Sequence, residues 1–64
     1  MTEIEIKAKV LEVLENQGVP VLPGDLYSKL EKMDIQEFDS RRAVVNLAVE
    51  HKITITPDRR VVLR

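Results

Sequence analysis

The chain contains no cysteine, no tryptophan and a single histidine among its 64 residues. Without cysteine it can form neither a disulfide framework nor a thiolate metal site, and one histidine does not make a metal site alone. Gly18 and Gly24 are its only glycines, so there is no glycine-rich loop to cradle a phosphate. We therefore expect no bound metal, no cofactor and no small-molecule ligand.

Aromatic residues and long apolar runs are equally scarce. Tyr27 and Phe38 are the only aromatics, and both stand at core-like positions, which leaves no exposed platform for stacking single-stranded bases. No apolar run reaches the roughly 18 residues of a membrane span, and the first residues lack the basic region of a secretory signal. Ser28 and Ser40 have no base partner for nucleophilic catalysis. We expect a cytoplasmic protein that is not an enzyme and does not enter a membrane.

The composition, at 44% hydrophobic and 33% charged residues, is typical of a small folded domain, and we expect residues 1–64 to form one. The charge is distributed unevenly. Residues 1–39 carry four lysines and nine acids, a net charge of -5, whereas residues 40–64 carry six cations and two acids, a net charge of +4. Five of those six cations are arginines, whose planar guanidinium pairs bidentately with phosphate or guanine. This asymmetry favours a surface that faces a polyanion, although arginine stems also cover apolar surface in ordinary proteins.

Helical spacing of apolar residues predicts three helices. Thr2 followed by Glu5 fits a capping box, and Gly18 ends this first helix after about 14 residues. Pro23 begins a second helix of about ten residues, ending near Met33 and Asp34. The apolar stripe of that helix consists of Leu26, Tyr27, Leu30 and Met33.

The third helix is preceded by a turn in which Ile35 and Phe38 are expected to rest on the core. Asp39 or Ser40 then caps the helix, which runs to about Glu50. With Val44 at the centre of the buried face, the neighbours on that face are Leu47 and Ala48. The opposite face holds Arg42, Asn46 and Glu50, flanked by Ala43, Val45 and Val49.

Extended segments are predicted at two places. Val19–Leu22 suits a sheet edge, because Pro20 cannot donate to a ladder. Residues 53–56 and 61–63 alternate with period two around a turn of Pro57, Asp58, Arg59 and Arg60, which indicates a hairpin. Its inward side chains are expected to be Ile53, Ile55, Val61 and Leu63.

The stretch from Ser40 to Leu63 resembles the recognition helix and wing of the winged helix-turn-helix superfamily. It has a polar helix start, an apolar body, a basic exit and a hairpin with basic residues at its tip. The resemblance implies an α+β fold, mainly α, with three helices, a C-terminal two-stranded hairpin wing and a short third strand between the first two helices. His51 stands where the family often has glycine, and the wing is short.

The resemblance also implies a function in binding double-stranded DNA, as a small transcriptional regulator or accessory factor. The recognition helix enters the major groove, where arginine reads guanine and asparagine reads adenine. The candidate DNA contacts are Ser40, Arg41, Arg42, Asn46, Lys52, Arg59 and Arg60. One copy would neutralise about three to five phosphates, so we expect a homodimer or a larger complex to supply the remaining affinity.

A second interpretation uses the same helix differently. Val45 and Val49 lie on or near its outward face, and clustered exposed apolar residues often mark a protein interface. Glu50 supports this alternative, because an acid on the reading face repels phosphate. The protein would then be a winged-helix adaptor or inhibitor that does not bind DNA.

Overall fold

A computed structural model of the protein describes residues 2–64 as three helices followed by an antiparallel hairpin. The elements are α1 (Glu3–Gln17), α2 (Pro23–Glu31), α3 (Glu37–Val49), β1 (Ile53–Ile55) and β2 (Val61–Leu63). The expected α+β fold, mainly helical and winged-helix-like in layout, is confirmed.

Both ends of α1 lie where its capping residues place them. The backbone N–H of Glu5 donates to Thr2 Oγ1 at 3.2 Å, which satisfies one of the unpaired donors of the first turn. At the other end Gly18 adopts a left-handed conformation with φ of 65°, and its N–H donates to the Leu14 carbonyl. A residue with a Cβ would be strained at this φ, so glycine gives a clean stop.

The predicted third strand is present as a single bridge. β1 and β2 pair so that Ile55 lies opposite Val61. On the other side of β2, the N–H of Val21 donates to the Val61 carbonyl at 2.9 Å, and the N–H of Val61 donates to the Val21 carbonyl at 2.7 Å. The bridge ties the hairpin to the α1–α2 connection, and β1 is left as the outer edge of this small sheet.

The core lies between the three helices and the inner side of the hairpin. Burial of apolar surface is the main stabilising term in a domain with no disulfide. The buried apolar residues are Ile6, Val10, Val13, Leu14, Val21, Leu26, Leu30, Ile35, Ala43, Val44, Leu47, Ile53 and Val61.

The start of α3 differs from the sequence prediction. The helix is capped at Gln36 and not at Asp39 or Ser40, and Glu37 is its first residue. Phe38 therefore lies in the first turn and points outward, with 72% of its surface exposed, so its predicted place on the core is wrong. Ile35, the other expected anchor, is buried.

The earlier start also changes which residues of α3 face inward. Ser40 is completely buried, and its hydroxyl donates to the Gln36 carbonyl at 3.1 Å. This takes Ser40 off the surface and overturns its predicted role as a base-reading residue. Ala43, expected beside the outward face, is buried as well. Both residues are small, so the helix backbone can approach its neighbours closely at these positions.

Three apolar positions, two predicted inward by alternation in the hairpin and one by helical spacing in the second helix, are more exposed than expected. In the hairpin, Ile53 and Val61 are buried but Ile55 and Leu63 are not. The helices cover only part of the hairpin's inner face, which leaves these two residues partly in solvent. Met33 is also exposed, because α2 ends at Glu31 and the chain turns away before the predicted stripe is complete.

The exit of α3 turns the chain back towards the core. His51 has φ of 61°, its N–H donates to the Ala48 carbonyl, and the N–H of Lys52 donates to the Leu47 carbonyl. These two bonds form a Schellman motif, which normally favours glycine at the left-handed residue. Histidine here bears a conformational cost that glycine would avoid, yet the reversal still lays β1 against α3.

We expect Leu26→Ala to lower the free energy of unfolding by about 2–5 kcal/mol, because the substitution leaves a cavity in the core. Phe38→Ala should change it by less than about 0.5 kcal/mol, since most of the ring is already in water. Urea denaturation followed by circular dichroism measures both. A large loss of stability in the Phe38 variant would contradict the outward placement of this ring.

Candidate interface on the third helix

The solvent-facing side of α3 carries an apolar stripe interrupted by one cation. Residues 38, 42, 45 and 49 follow one another at intervals of four, three and four, so their side chains share one face of the helix. We call Phe38, Arg42, Val45 and Val49 the α3 stripe. Phe38, Val45 and Val49 are 72%, 60% and 71% exposed. Single exposed apolar residues are ordinary, but three on one helix face form a patch of the kind that marks a binding surface.

A shallow depression lies on this face. It has a volume of about 430 Å³ and is lined by Phe38, Arg41, Arg42, Val45 and Asn46. Because it is open to solvent, it would cover only part of a small molecule, whereas small-molecule sites bury most of their ligand.

Arg41 is held beside the stripe by contacts within its own chain. Its Nη2 lies 3.1 Å from Glu37 Oε2, and its guanidinium carbon lies 5.7 Å from the centre of the Tyr27 ring. Both contacts are favourable but exposed, so each contributes little to stability. Burial raises the pKa of Tyr27, and the nearby Arg41 charge partly offsets this. Arg41 therefore leans towards α2, with part of its charge balanced by Glu37.

Arg42 has a different environment. Among residues 2–64, no carboxylate oxygen lies within 4.0 Å of its guanidinium nitrogens. It lies one helical turn after Phe38 and about one turn before Val45. Glu3 and Asp39 line a second depression together with Arg42, on the side towards α1, without forming an ion pair with it. The stripe thus has a positive charge near its middle that forms no ion pair within residues 2–64.

The side of α3 next to the stripe is joined to α1 by two polar contacts. Asn46 Nδ2 donates to Glu3 Oε1, and Lys7 Nζ donates to Glu50 Oε2. The two contacts lie four residues apart on each helix, and together we call them the α1–α3 seam. The amide of Asn46, predicted to read adenine, is instead engaged with α1, and the predicted reading-face acid Glu50 lies in the same seam.

One exposed apolar side chain lies on α1 beside the seam. Ile4, which follows Glu3, is 79% exposed, and Val49, which precedes Glu50, is 71% exposed. By helical geometry these two side chains lie on opposite sides of the polar seam, which separates them.

The hairpin turn is ordered by its own hydrogen bonds. The Asp58 carboxylate accepts from the Thr56 hydroxyl and from Arg60 Nε, the latter at 3.0 Å. These bonds, the one from Thr56 above all, hold the pKa of Asp58 below its ordinary value. Arg60 is therefore partly neutralised within the turn. Arg59, in a left-handed conformation with φ of 64°, is exposed and has no acidic partner within 4.0 Å in residues 2–64.

The structure thus divides the predicted DNA contacts into different settings. Arg41 and Arg42 lie on α3, and Arg59 and Arg60 lie in the hairpin turn. Lys52 follows the end of α3, is exposed, and has its Nζ 4.0 Å from Glu50 Oε1. Ser40 is in the interior and Asn46 faces α1. The first turn of α3 carries Glu37 and Asp39, which oppose a phosphate at the helix start.

Phe38 is the functional candidate that the sequence reasoning missed. The signal was present, because Phe38, Val45 and Val49 recur at positions i, i+7 and i+11, opposite the buried Val44 and Leu47. A helix that begins at Asp39 or Ser40 leaves Phe38 outside it, so the predicted start hid this spacing.

Comparisons of the chain with protein-family models, with curated proteins and with solved structures gave no match. Across residues 2–64 no helix is long and apolar enough to cross a membrane. In the same residues no group of three or more acidic or histidine side chains is arranged to hold a metal ion.

The seam should respond to pH in a defined direction. The hydrogen bond between Lys7 and Glu50 holds the pKa of Glu50 below its ordinary 4.5 and the pKa of Lys7 above its ordinary 10.5. The stabilisation by Glu50 is therefore present above pH 4.5 and lost as pH falls through its lowered pKa. The stabilisation by Lys7 is present below pH 10.5 and lost as pH rises through its raised pKa.

A double-mutant cycle with Lys7→Met and Glu50→Gln, measured by urea denaturation, tests this. We expect a small favourable coupling near neutral pH that disappears in acid below the Glu50 pKa and weakens with added salt, since the pair is exposed. The Lys9–Glu12 pair within α1 serves as a control that does not join two helices. A coupling that is identical at neutral and acid pH would contradict the pairing.

Proposed function

We propose that the protein is a winged-helix-like interaction module that binds another protein through the α3 stripe. The observation that carries this proposal is the exposure of Phe38, Val45 and Val49 on one face of the third helix. The helix that presents this stripe is the one that a winged helix uses for recognition. A single domain over residues 1–64 and a cytoplasmic location belong to the same proposal.

The stripe has more to gain from a protein surface than from a DNA groove. Burying a valine or phenylalanine side chain contributes about 1.5–3 kcal/mol, from which the entropy cost of association must be subtracted. A major groove offers such side chains little apolar surface beyond thymine methyl groups. A protein partner with matching apolar residues can cover Phe38, Val45 and Val49 together.

Several features also count against base reading by α3. The side chain of Ser40 is buried, and the amide of Asn46 is engaged with Glu3. Glu37 and Asp39 place negative charge at the helix start, where a recognition helix comes closest to DNA. The balance therefore moves from the DNA interpretation of the sequence towards the adaptor or inhibitor interpretation.

Site-specific photocrosslinking tests the proposal even though the partner is unidentified. Benzoylphenylalanine at Phe38 replaces one exposed aromatic ring by a larger one and should not disturb the fold. In the cells that make the protein, we expect irradiation to produce discrete, protease-sensitive and nuclease-resistant adducts of this variant. The same photoprobe at Thr54, an exposed residue of β1, is the matched control and should give none of these adducts.

The outcomes separate the candidate functions. If nuclease treatment removes the adducts formed at Phe38, the crosslinked molecule is a nucleic acid, and a protein partner at this face is rejected. Equal adduct patterns at Phe38 and Thr54 would reflect random collision and would also reject the proposal. Crosslinked partners identified by mass spectrometry should lose their adducts when Val45→Lys is added.

We propose binding to duplex DNA, in a small regulator or accessory factor, as a second candidate function. The observation that favours it is that Arg42 and Arg59 are exposed and, within residues 2–64, have no carboxylate oxygen within 4.0 Å. Arg41 and Lys52 add charge on the same helix and at its exit. Arginine without a partner is well suited to a phosphate oxygen, which it can grip with two N–H groups.

This second function predicts salt-sensitive binding to a mixed-sequence duplex in fluorescence anisotropy. Contacts to about three to five phosphates give a slope of log affinity against log salt of about -3 to -4. Arg42→Ala/Arg59→Ala should reduce the magnitude of that slope by about 2, because two phosphate contacts are lost. Lys9→Ala/Lys32→Ala removes the same charge elsewhere and should leave the slope nearly unchanged. Absence of binding at low salt and high protein concentration would reject the DNA candidate.

A further inference from the structure

We infer that the segment covering the α3 stripe is an acidic amphipathic helix of the partner, with a carboxylate seated against Arg42 between apolar side chains. This inference rests on the proposed function and specifies its partner class. Its basis is the position of Arg42, which lies within the apolar stripe and has no acidic partner from its own chain within 4.0 Å in residues 2–64.

The charge at the middle of the stripe constrains what can cover it. A partner that buries Phe38 and Val45 also removes water from Arg42, which lies between them. A buried guanidinium without an acceptor is strongly unfavourable, so a purely apolar partner is disfavoured. A carboxylate at this point can accept two parallel hydrogen bonds from the guanidinium and resolves that conflict.

Arg41 strengthens the preference for an acidic partner. Its Nη2 faces Glu37, and 63% of its side chain remains exposed at the edge of the same depression. Its other N–H groups are therefore available to a second acceptor. A partner with acids at neighbouring positions of one face could contact Arg42 in the centre and Arg41 at the rim.

The length and spacing of the stripe match a helical partner. From Phe38 to Val49 the stripe is about 16 Å long at 1.5 Å per residue, which corresponds to about three helical turns. A partner helix with apolar residues at positions i, i+3 or i+4, and i+7 matches this length and presents an apolar side chain to each exposed residue. The depression beside Phe38 and Val45 can receive one of them.

A second copy of the chain fits less well on the same face. In a two-fold antiparallel pairing of the stripes, Phe38 would lie over the partner copy's Val49. Arg42 would then lie beside the partner copy's Val45, close to the two-fold axis. The two Arg42 guanidiniums, neither of which forms an ion pair within its own chain in residues 2–64, would thus come within about a helical turn of each other, and like charges there oppose association.

Selection from an unbiased random-peptide display library, with the intact protein as bait, tests the inference. We expect the enriched peptides to carry apolar residues at helical spacing with aspartate or glutamate between them. Synthetic copies of the enriched peptides are then titrated against the wild type, Arg42→Glu and Arg59→Glu by fluorescence anisotropy. Arg42→Glu should weaken binding at least about tenfold, the size of a lost close charge pair. Arg59→Glu carries the same charge change off the stripe and should alter binding by less than about twofold.

A reciprocal selection makes the test sharper. Arg42→Glu used as the bait should enrich peptides with lysine or arginine in place of the acids, while the apolar spacing stays the same. Both variants should keep the wild-type unfolding midpoint, because residues 42 and 59 are exposed, and this check separates lost binding from lost folding.

The possible failures can be told apart. Enriched peptides that lack acids but lose binding with Val45→Lys would overturn the acidic-partner inference and leave the proposed function standing. No enriched peptides, or peptides indifferent to Val45→Lys, would overturn both. Self-association in sedimentation equilibrium that Val45→Lys abolishes would show that a second copy covers the stripe, and would overturn the inference as well.

Discussion

The rotation of α3 about its own axis is the constraint on which the candidate interface depends. Burial of Ser40, Ala43, Val44 and Leu47 turns one side of the helix towards the core. Two of these residues are small, which lets the helix approach its neighbours closely, and the buried Ser40 hydroxyl is satisfied within the helix. Once this face is fixed, helical geometry places Phe38, Arg42, Val45 and Val49 in solvent.

The same rotation places the polar seam and the mainly apolar stripe on neighbouring sides of α3. Asn46 and Glu50 face α1 and form the seam with Glu3 and Lys7, so their polar atoms are engaged within the molecule. The stripe beside the seam keeps its apolar side chains and one cation exposed. Three large apolar side chains on one helix face are more than the single exposed apolar residues that an ordinary surface carries.

Ion pairs in the folded chain reduce the basic surface that the charge asymmetry of the sequence predicted. The net charge of +4 in residues 40–64 favoured a surface that faces a polyanion. In the structure Arg41 faces Glu37, Arg60 faces Asp58 and Lys52 approaches Glu50. The net charge of +4 already includes Glu50 and Asp58, but it leaves out Glu37, which belongs to the acidic half of the sequence. Cations that form no ion pair remain at isolated points, and Arg42 in the stripe is one of them.

The sequence by itself determined the layout of this protein. Local signals were enough to place α1 and the start of α2, namely the helical spacing of apolar residues together with Thr2, Gly18 and Pro23. Period-two alternation, which is also local, was enough to predict the hairpin. Only the tertiary structure decided the details of the candidate interface. The start of α3, the burial of Ser40 and the engagement of Asn46 depend on packing between elements distant in sequence, which no local pattern records. The spacing of Phe38, Val45 and Val49 is a local signal for one helix face, but it becomes readable only once the start of α3 is known.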